Sequence, residues 1–500
     1  MIDYKGNYIA GKWQPVKARE GTLKRENPCR VSQTVFEGPW SSAAVDDAVA
    51  AAQKALPAWD RLGREGRIAH LMRFQEALAE RKEELAVAIA REVGKPLWEA
   101  RTEAGALTAK IDIMCGEGLE LTRDVFPKGL EGGRWTYRPL GVLGVFGPFN
   151  FPLHLPNGHI IPGLVNGNTV VVKPSEMAPG CMQLYFECAE KAGLPAGVLN
   201  LVQGPGEVGA KLAGHRGVNG VLFTGSWTTG MAIKRATAEH HWKLLALEMG
   251  GKNTSIILED ADLAQATHEV ALAAYLTAGQ RCSATSRVVV RREVADDFID
   301  SLRDVSRRIT VGDALANPDA PPFMGALASK AGYEAFIKAQ SDTEGGNLSL
   351  LLEGGRACKE LDGYFVKPSL WLAKSVDLHG SHQGQELFGP DVVIYTVDSD
   401  EEAVRVANAT EYGLAMSVFS ADETRFEEMA YGLKSGILNL NRSTCGASSR
   451  LPFGGINKSG NHRPSALMAG LYCTYPQAQL RNESGWDPEA LKSGALQYLK

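Results

Sequence analysis

The sequence predicts an α/β protein of two or three closely packed domains with parallel sheets at their centres. Its 500 residues exceed what a single hydrophobic core usually supports. Across residues 141–258, short β-rich apolar runs alternate with helical stretches. Such alternation means parallel strands joined by crossover helices, with a nucleotide site expected at the carboxyl ends of the strands. A second run of the same kind extends over residues 263–440.

Ahead of these runs, residues 42–59 and 64–93 read as helices. In the second, Ile68, Leu71, Phe74, Leu78, Leu85 and Ile89 recur mostly at steps of three and four, with charged residues between them. Gly94, Lys95 and Pro96 close it. The first α/β run offers strands at 142–146, 169–172, 198–202, 220–223, 244–247 and 255–258, with helices at 182–192 and 207–213 between them. The second offers helices at 296–309, 329–339, 401–407 and 422–431, and strands at 287–290, 392–397, 417–420 and 436–440. Residues 470–477 read as an edge strand. No repeat, low-complexity tract or long Pro/Gly/Ser linker divides the chain.

Composition excludes several classes. A formal charge of −5 over this length supplies no basic stripe for a nucleic acid. No stretch approaches the roughly 20 apolar residues of a membrane span, and residues 1–15 lack a signal-peptide core. A soluble cytoplasmic protein without nucleic-acid or membrane partners is the expectation. None of the eight cysteines forms a Cys-x-x-Cys pair, and no Cys/His cluster has zinc-ligand spacing, so no metal is expected. Each cysteine taken alone reads as a small buried hydrophobe.

Cys282 is the exception. It lies in Ala278-Gly279-Gln280-Arg281-Cys282-Ser283, a small polar loop after a long apolar helix pattern, where a thiolate can act as nucleophile. Glu248, in Leu247-Glu248-Met249-Gly250-Gly251-Lys252, is an acid at a strand end beside paired glycines, placed as a general base or a structural salt bridge. Asn150 sits among apolar and turn residues, as an oxyanion donor or a turn-holder. Gly225-Ser226-Trp227-Thr228-Thr229-Gly230 follows a strand and opens a helix, a favourable phosphate seat. Gly204-Pro205-Gly206-Glu207-Val208-Gly209 matches G-x-G-x-x-G, but its proline and the lack of a suitably placed acid weaken the match. Lys173-Pro174-Ser175-Glu176, after a further strand, reads as ribose-binding or as a solvated turn.

Taken together and in this order, residues 147–152, 173–176, 223–230, 247–252, 279–282, 386–390 and 452–455 resemble the aldehyde dehydrogenase superfamily. The likeness runs from about Gly11 to about Gln479. Residues 154–159, 278–282 and especially 459–466 resemble a branch that acts on a semialdehyde carrying two carboxylates.

The resemblance implies a Rossmann-type NAD-binding domain (residues 1–123 with 140–250) and an α/β catalytic domain (251–455). It also implies a small β oligomerisation flap, with 124–139 and 456–500 as bridging segments of a homodimer or homotetramer. It makes Cys282 the nucleophile, Asn150 and the Cys282 N–H the oxyanion donors, and Glu248 the base that activates water. NAD would lie on Lys173 and Glu176 at the adenine ribose and on Gly225 to Gly230 at the pyrophosphate. Glu386 would hold the nicotinamide ribose, with Phe388 packed near the nicotinamide. Glu176 beside the ribose favours NAD over NADP. The turn at 204–209 is given mainly a packing role. For the substrate carboxylates the expectation is Arg281 and His154, whereas Arg463 reads as structural. The competing readings are a member acting on another semialdehyde or a broad aliphatic range, a member that acylates CoA, and a non-catalytic NAD-binding protein on the same fold.

Overall fold

The computed structural model describes residues 1–316 and 319–482. Its larger features are two seven-stranded sheets. In the first, Leu244–Glu248, Gly220–Thr224, Val142–Phe146, Thr169–Lys173 and Leu199–Leu201 run parallel in that spatial order. The antiparallel strands Asn7–Ile9 and Lys12–Gln14 complete its edge. The parallel strands are almost wholly buried and rich in Val and Leu, as strands covered on both faces must be. Strand order reverses between Val142–Phe146 and Gly220–Thr224. The crevice at that reversal, past the carboxyl ends, is where open α/β sheets bind ligands.

The second sheet runs Leu348–Leu352, Ser369–Ala373, Asp391–Val397, Thr285–Arg291, Asn253–Ile257, Ala415–Phe419 and Ile437–Leu440, parallel except for its first strand. The strand read at 255–258 therefore belongs to this sheet and not to the first α/β run. Asn253–Ile257 is buried at every position, so its side chains carry no signal of which sheet it joins.

The single helix read at 64–93 is two, Gly63–Glu80 and Lys82–Val93. They break at Arg81, whose guanidinium ties Glu84 at 2.7 Å to Glu187 at 2.9 Å. The apolar spacing runs in phase across that break, which hid it. Gly94 ends the second helix in the left-handed conformation expected of a glycine stop. The edge strand read at 470–477 starts later: Ala469–Tyr472 is a short helix, and Thr474–Leu480 pairs antiparallel with Gly133–Pro139 as a two-stranded ribbon. Residues 483–500 of the bridging segment lie outside the described residues. Among the described residues no helix is long and apolar enough to cross a membrane.

Candidate active site

Cys282 follows a loop whose backbone is held against its preference. Thr277 and Ala278 take φ of 56° and 51°, and Gly279 takes 74°. A left-handed residue other than glycine costs about 1–2 kcal/mol, so something must hold the loop. Glu99 does. Its carboxylate accepts the Thr277 N–H at 3.0 Å and the Thr277 hydroxyl, and pairs with Arg281 at 2.5 Å. Gln280 adds a tie at each end, accepting the Ala328 N–H at 2.9 Å and donating to the Thr277 carbonyl at 3.0 Å. Gly279 is required because a Cβ there would strike the Gly389 carbonyl.

The loop delivers Cys282 to one wall of a cavity of about 700 Å³. Asn150, Glu248, Glu386 and Phe388 share that wall region, and Lys173, Glu176, Gly225, Ser226 and Thr229 line the same cavity further along. Asn150 donates one amide hydrogen to the Gln280 carbonyl at 2.9 Å, which aims the side chain and leaves its second hydrogen uncommitted. Among the described residues no acceptor takes the backbone N–H of Cys282.

Glu248 ends its strand buried, and neither carboxylate oxygen has a hydrogen-bond partner. Burial, reinforced by the charge of Glu386, pushes its pKa up to about 8 against the opposing influence of the nearby Cys282 thiol. Burial raises the Cys282 thiol well above its ordinary value too, and Glu248 and Glu386 raise it further. Glu386 accepts the Gly251 N–H at 2.9 Å, and burial lifts it to about 7. Gly250 is needed beside it, since a Cβ would overlap that carboxyl. Three protonatable groups thus share one cavity wall, with Lys252 partly opposing the rise at Glu386. That is the condition under which a carboxyl and a thiol exchange protons near neutral pH.

The strand end carrying Glu248 is clamped from the far end of the chain. Asn461 accepts the Leu247 N–H at 2.8 Å and donates to the Leu245 carbonyl at 3.1 Å, and the Met249 N–H reaches the Ser459 carbonyl at 3.0 Å. Arg463 donates to the Gly455 carbonyl at 3.2 Å, the structural role expected of it.

Several expected residues lie elsewhere. Trp227 sits under the Lys458 ammonium at 4.5 Å, Thr228 is exposed and Gly230 packs on Met249; none lines the cavity. Ser226 caps the Trp227–Ala236 helix by accepting the Thr229 N–H, which leaves the Trp227 and Thr228 N–H groups as the free donors of that turn. Arg281 is neutralised by Glu99 and stacked 5.0 Å from the Phe151 ring, outside the large cavity. Its Nε is committed to Thr277 and one Nη to the Glu99 carboxylate, so the charge expected to meet a substrate carboxylate is already paired. His154 is half-buried and off the cavity lining too, its pKa lowered to about 3 by desolvation and by Lys110, Lys95 and Arg281.

The turn at 204–209 needs the opposite correction. Gly206, Gly209, Ala210 and Ala213 line the cavity, and Gly209 stands against the Lys173 stem. The G-x-G-x-x-G spacing was the signal, discounted because of its proline. Met177, Ala232 and Ala236 also line the cavity and belong to no motif read in the sequence.

A sequence profile of the aldehyde dehydrogenase family matches residues 16–477. The chain belongs to the aldehyde dehydrogenase family. Among aldehyde dehydrogenases, it is 40% identical over 499 residues to the N-succinylglutamate 5-semialdehyde dehydrogenase of Paraburkholderia xenovorans, covering 98% of this chain and 99% of the relative. It is 42% identical over 492 residues to the enzyme of the same name from Burkholderia ambifaria, covering 97% and 99%. Among solved structures, a 1-pyrroline-5-carboxylate dehydrogenase from Thermus with bound NAD superposes with a TM-score of 0.87 at 30% identity, covering 95% of this chain and 92% of that one. An NAD-dependent aldehyde dehydrogenase from Sinorhizobium meliloti gives 0.90 at 30% identity, covering 96% and 95%.

Proposed function

We propose that this enzyme oxidises N-succinylglutamate 5-semialdehyde to N-succinylglutamate with NAD, the step that serves arginine catabolism by the succinyltransferase route. The observation that carries the chemistry is the meeting of Cys282, Asn150 and Glu248 on one cavity that continues to Lys173, Glu176 and the glycine turns. The substrate rests on the full-length relatives of that name.

The cavity fits a dinucleotide. Gly206, Gly209 and Gly225 leave room for close backbone approach, the Lys173–Glu176 pair at 3.1 Å offers both signs to ribose hydroxyls, and Glu386 serves the far ribose. When bound, NAD supplies the hydride acceptor that turns an aldehyde adduct into an acyl group.

The chain's own residues do the rest. As Cys282 loses its proton, its sulfur attacks the aldehyde carbon, forming a C–S bond and moving the carbonyl pair onto oxygen. That oxyanion is held by the second Asn150 amide hydrogen and the uncommitted Cys282 N–H. After oxidation a thioester remains on Cys282. Glu248 takes a proton from water, the hydroxyl adds to the thioester carbon, and the C–S bond breaks to release the acid and regenerate the sulfur nucleophile. A hydrolytic base so placed argues against CoA as acyl acceptor. The reading predicts kcat/KM for N-succinylglutamate semialdehyde at least tenfold above those for succinate semialdehyde and hexanal, measured as NADH formation. Equal values for all three would assign a broad aliphatic enzyme instead.

We also propose that residues 124–139 and 456–482 dock a second copy through the Gly133–Pro139 and Thr474–Leu480 ribbon, where Phe126, Leu130, Tyr475 and Leu480 are exposed.

A further inference from the structure

The face of the Leu97–Cys115 helix that meets the His154–Val165 helix carries Glu99, Glu103, Leu107 and Lys110, spaced by four, four and three residues. Three of these are spent. Glu99 holds Arg281 beside the nucleophile. Glu103 pairs with Lys95 at 2.7 Å and accepts the Leu153 and His154 N–H groups at the start of the neighbouring helix. The Leu107 carbonyl accepts the Asn157 amide at 3.2 Å.

Lys110 has nothing. It is 2% exposed, and among the described residues it makes no ion pair or hydrogen bond. Burial alone lowers its pKa to about 8, with no carboxylate near enough to oppose the shift. The cations Lys95 and Arg281 are balanced one to one by Glu103 and Glu99, so Lys110 is the one charge left over in this region. A buried ammonium without a counter-charge is costly and is retained where something else supplies the anion.

The surroundings fit an anion. Gly158 lies where the two helices face, and a Cβ placed on it would stand 3.4 Å from the Ser465 hydroxyl and 3.9 Å from Lys110 Cε. The missing side chain thus leaves a gap bordered by the Ser465 hydroxyl and the end of the Lys110 stem. Ser465 makes no side-chain hydrogen bond among the described residues. One turn earlier on the same helix, half-buried His154 has a buried Nδ1 without a partner among the described residues. Leu155, three residues before Gly158, lines the cavity that holds Cys282. The space at Gly158 thus lies one helical turn beyond the reaction cavity.

We propose that Lys110, with Ser465 and the His154 ring, binds a substrate carboxylate remote from the aldehyde, in the space that Gly158 leaves open. This deepens the reading of the enzyme as a dicarboxylate semialdehyde dehydrogenase and rests on it. Lys110 takes over the role first given to Arg281, and His154 keeps its role as an uncharged partner.

The test compares the parent, Lys110→Met and Gly158→Leu with N-succinylglutamate semialdehyde and with hexanal. In Lys110→Met the ratio of kcat/KM for the dicarboxylate over hexanal falls at least tenfold, chiefly through KM. The melting temperature stays equal or rises, because an unpaired buried charge has been removed; a lysine with a structural role would lower it. Gly158→Leu, which fills the space and keeps the charge, lowers the same ratio. If the parent oxidises the dicarboxylate and both variants keep its ratio, the subsite is overturned and the functional reading stands. If the parent does not oxidise it, the functional reading falls and takes the subsite with it.

Discussion

Glu248 is a carboxyl without a hydrogen-bond partner, raised to about 8 by burial, and deacylation needs it ionised. The working form is therefore lost as pH falls through about 8. In single-turnover experiments, release of the acid should rise from pH 6 through pH 8, half-maximal near the Glu248 pKa of about 8, and level about one unit above it. A flat profile over that range would remove Glu248 from the step. The same shift has a cost in stability. A carboxyl whose folded pKa exceeds its unfolded value stabilises the fold at low pH, and that contribution is lost as pH rises through about 8. Cys282 and Glu248 interact, so the profile will show pKa values belonging to the pair. At this scale the sequence was most informative where a residue type is rare for its position: a thiol in a polar loop, an acid beside paired glycines. It was silent on Lys110, because a lysine on a helix reads as solvated until the opposing helix is known. Nor could it show that Arg281, adjacent to the nucleophile, pairs with the Glu99 carboxylate 182 residues away.

Helices and strands were legible wherever burial is one-sided or total and the ends carry turn residues, as in Val142–Phe146 and Asp391–Val397. They failed where the backbone breaks without a change in side-chain phase, as at Arg81, and where a strand is formed late by partners far along the chain, as at Thr474–Leu480. That last strand pairs only with Gly133–Pro139, and an isolated two-stranded ribbon is marginal in water. With Tyr475 and Leu480 exposed on it, the ribbon needs a cover. Leu480→Arg should therefore sediment as a smaller species than the parent at equal concentration. An unchanged mass would contradict the proposed docking of a second copy through this ribbon.

Across the whole molecule, the cavity is assembled from both halves of the chain. Gly147 to Asn150, Lys173, Gly225 and Glu248 come from strand ends of the first sheet, and Cys282, Glu386 and Phe388 from loops of the second. Asn461 and Ser459 return from near the C-terminal end to fix the strand that carries Glu248. This explains why residues 459–466, though outside the cavity lining, were among the most telling in the sequence: they position the base. The proposed catalysis turns on an acyl group carried by Cys282 and released by Glu248. Glu248→Gln, mixed with NAD and N-succinylglutamate semialdehyde and quenched, should retain a succinylglutamyl adduct located by mass spectrometry on Cys282. An adduct on another cysteine, or none despite a burst of NADH, would contradict it.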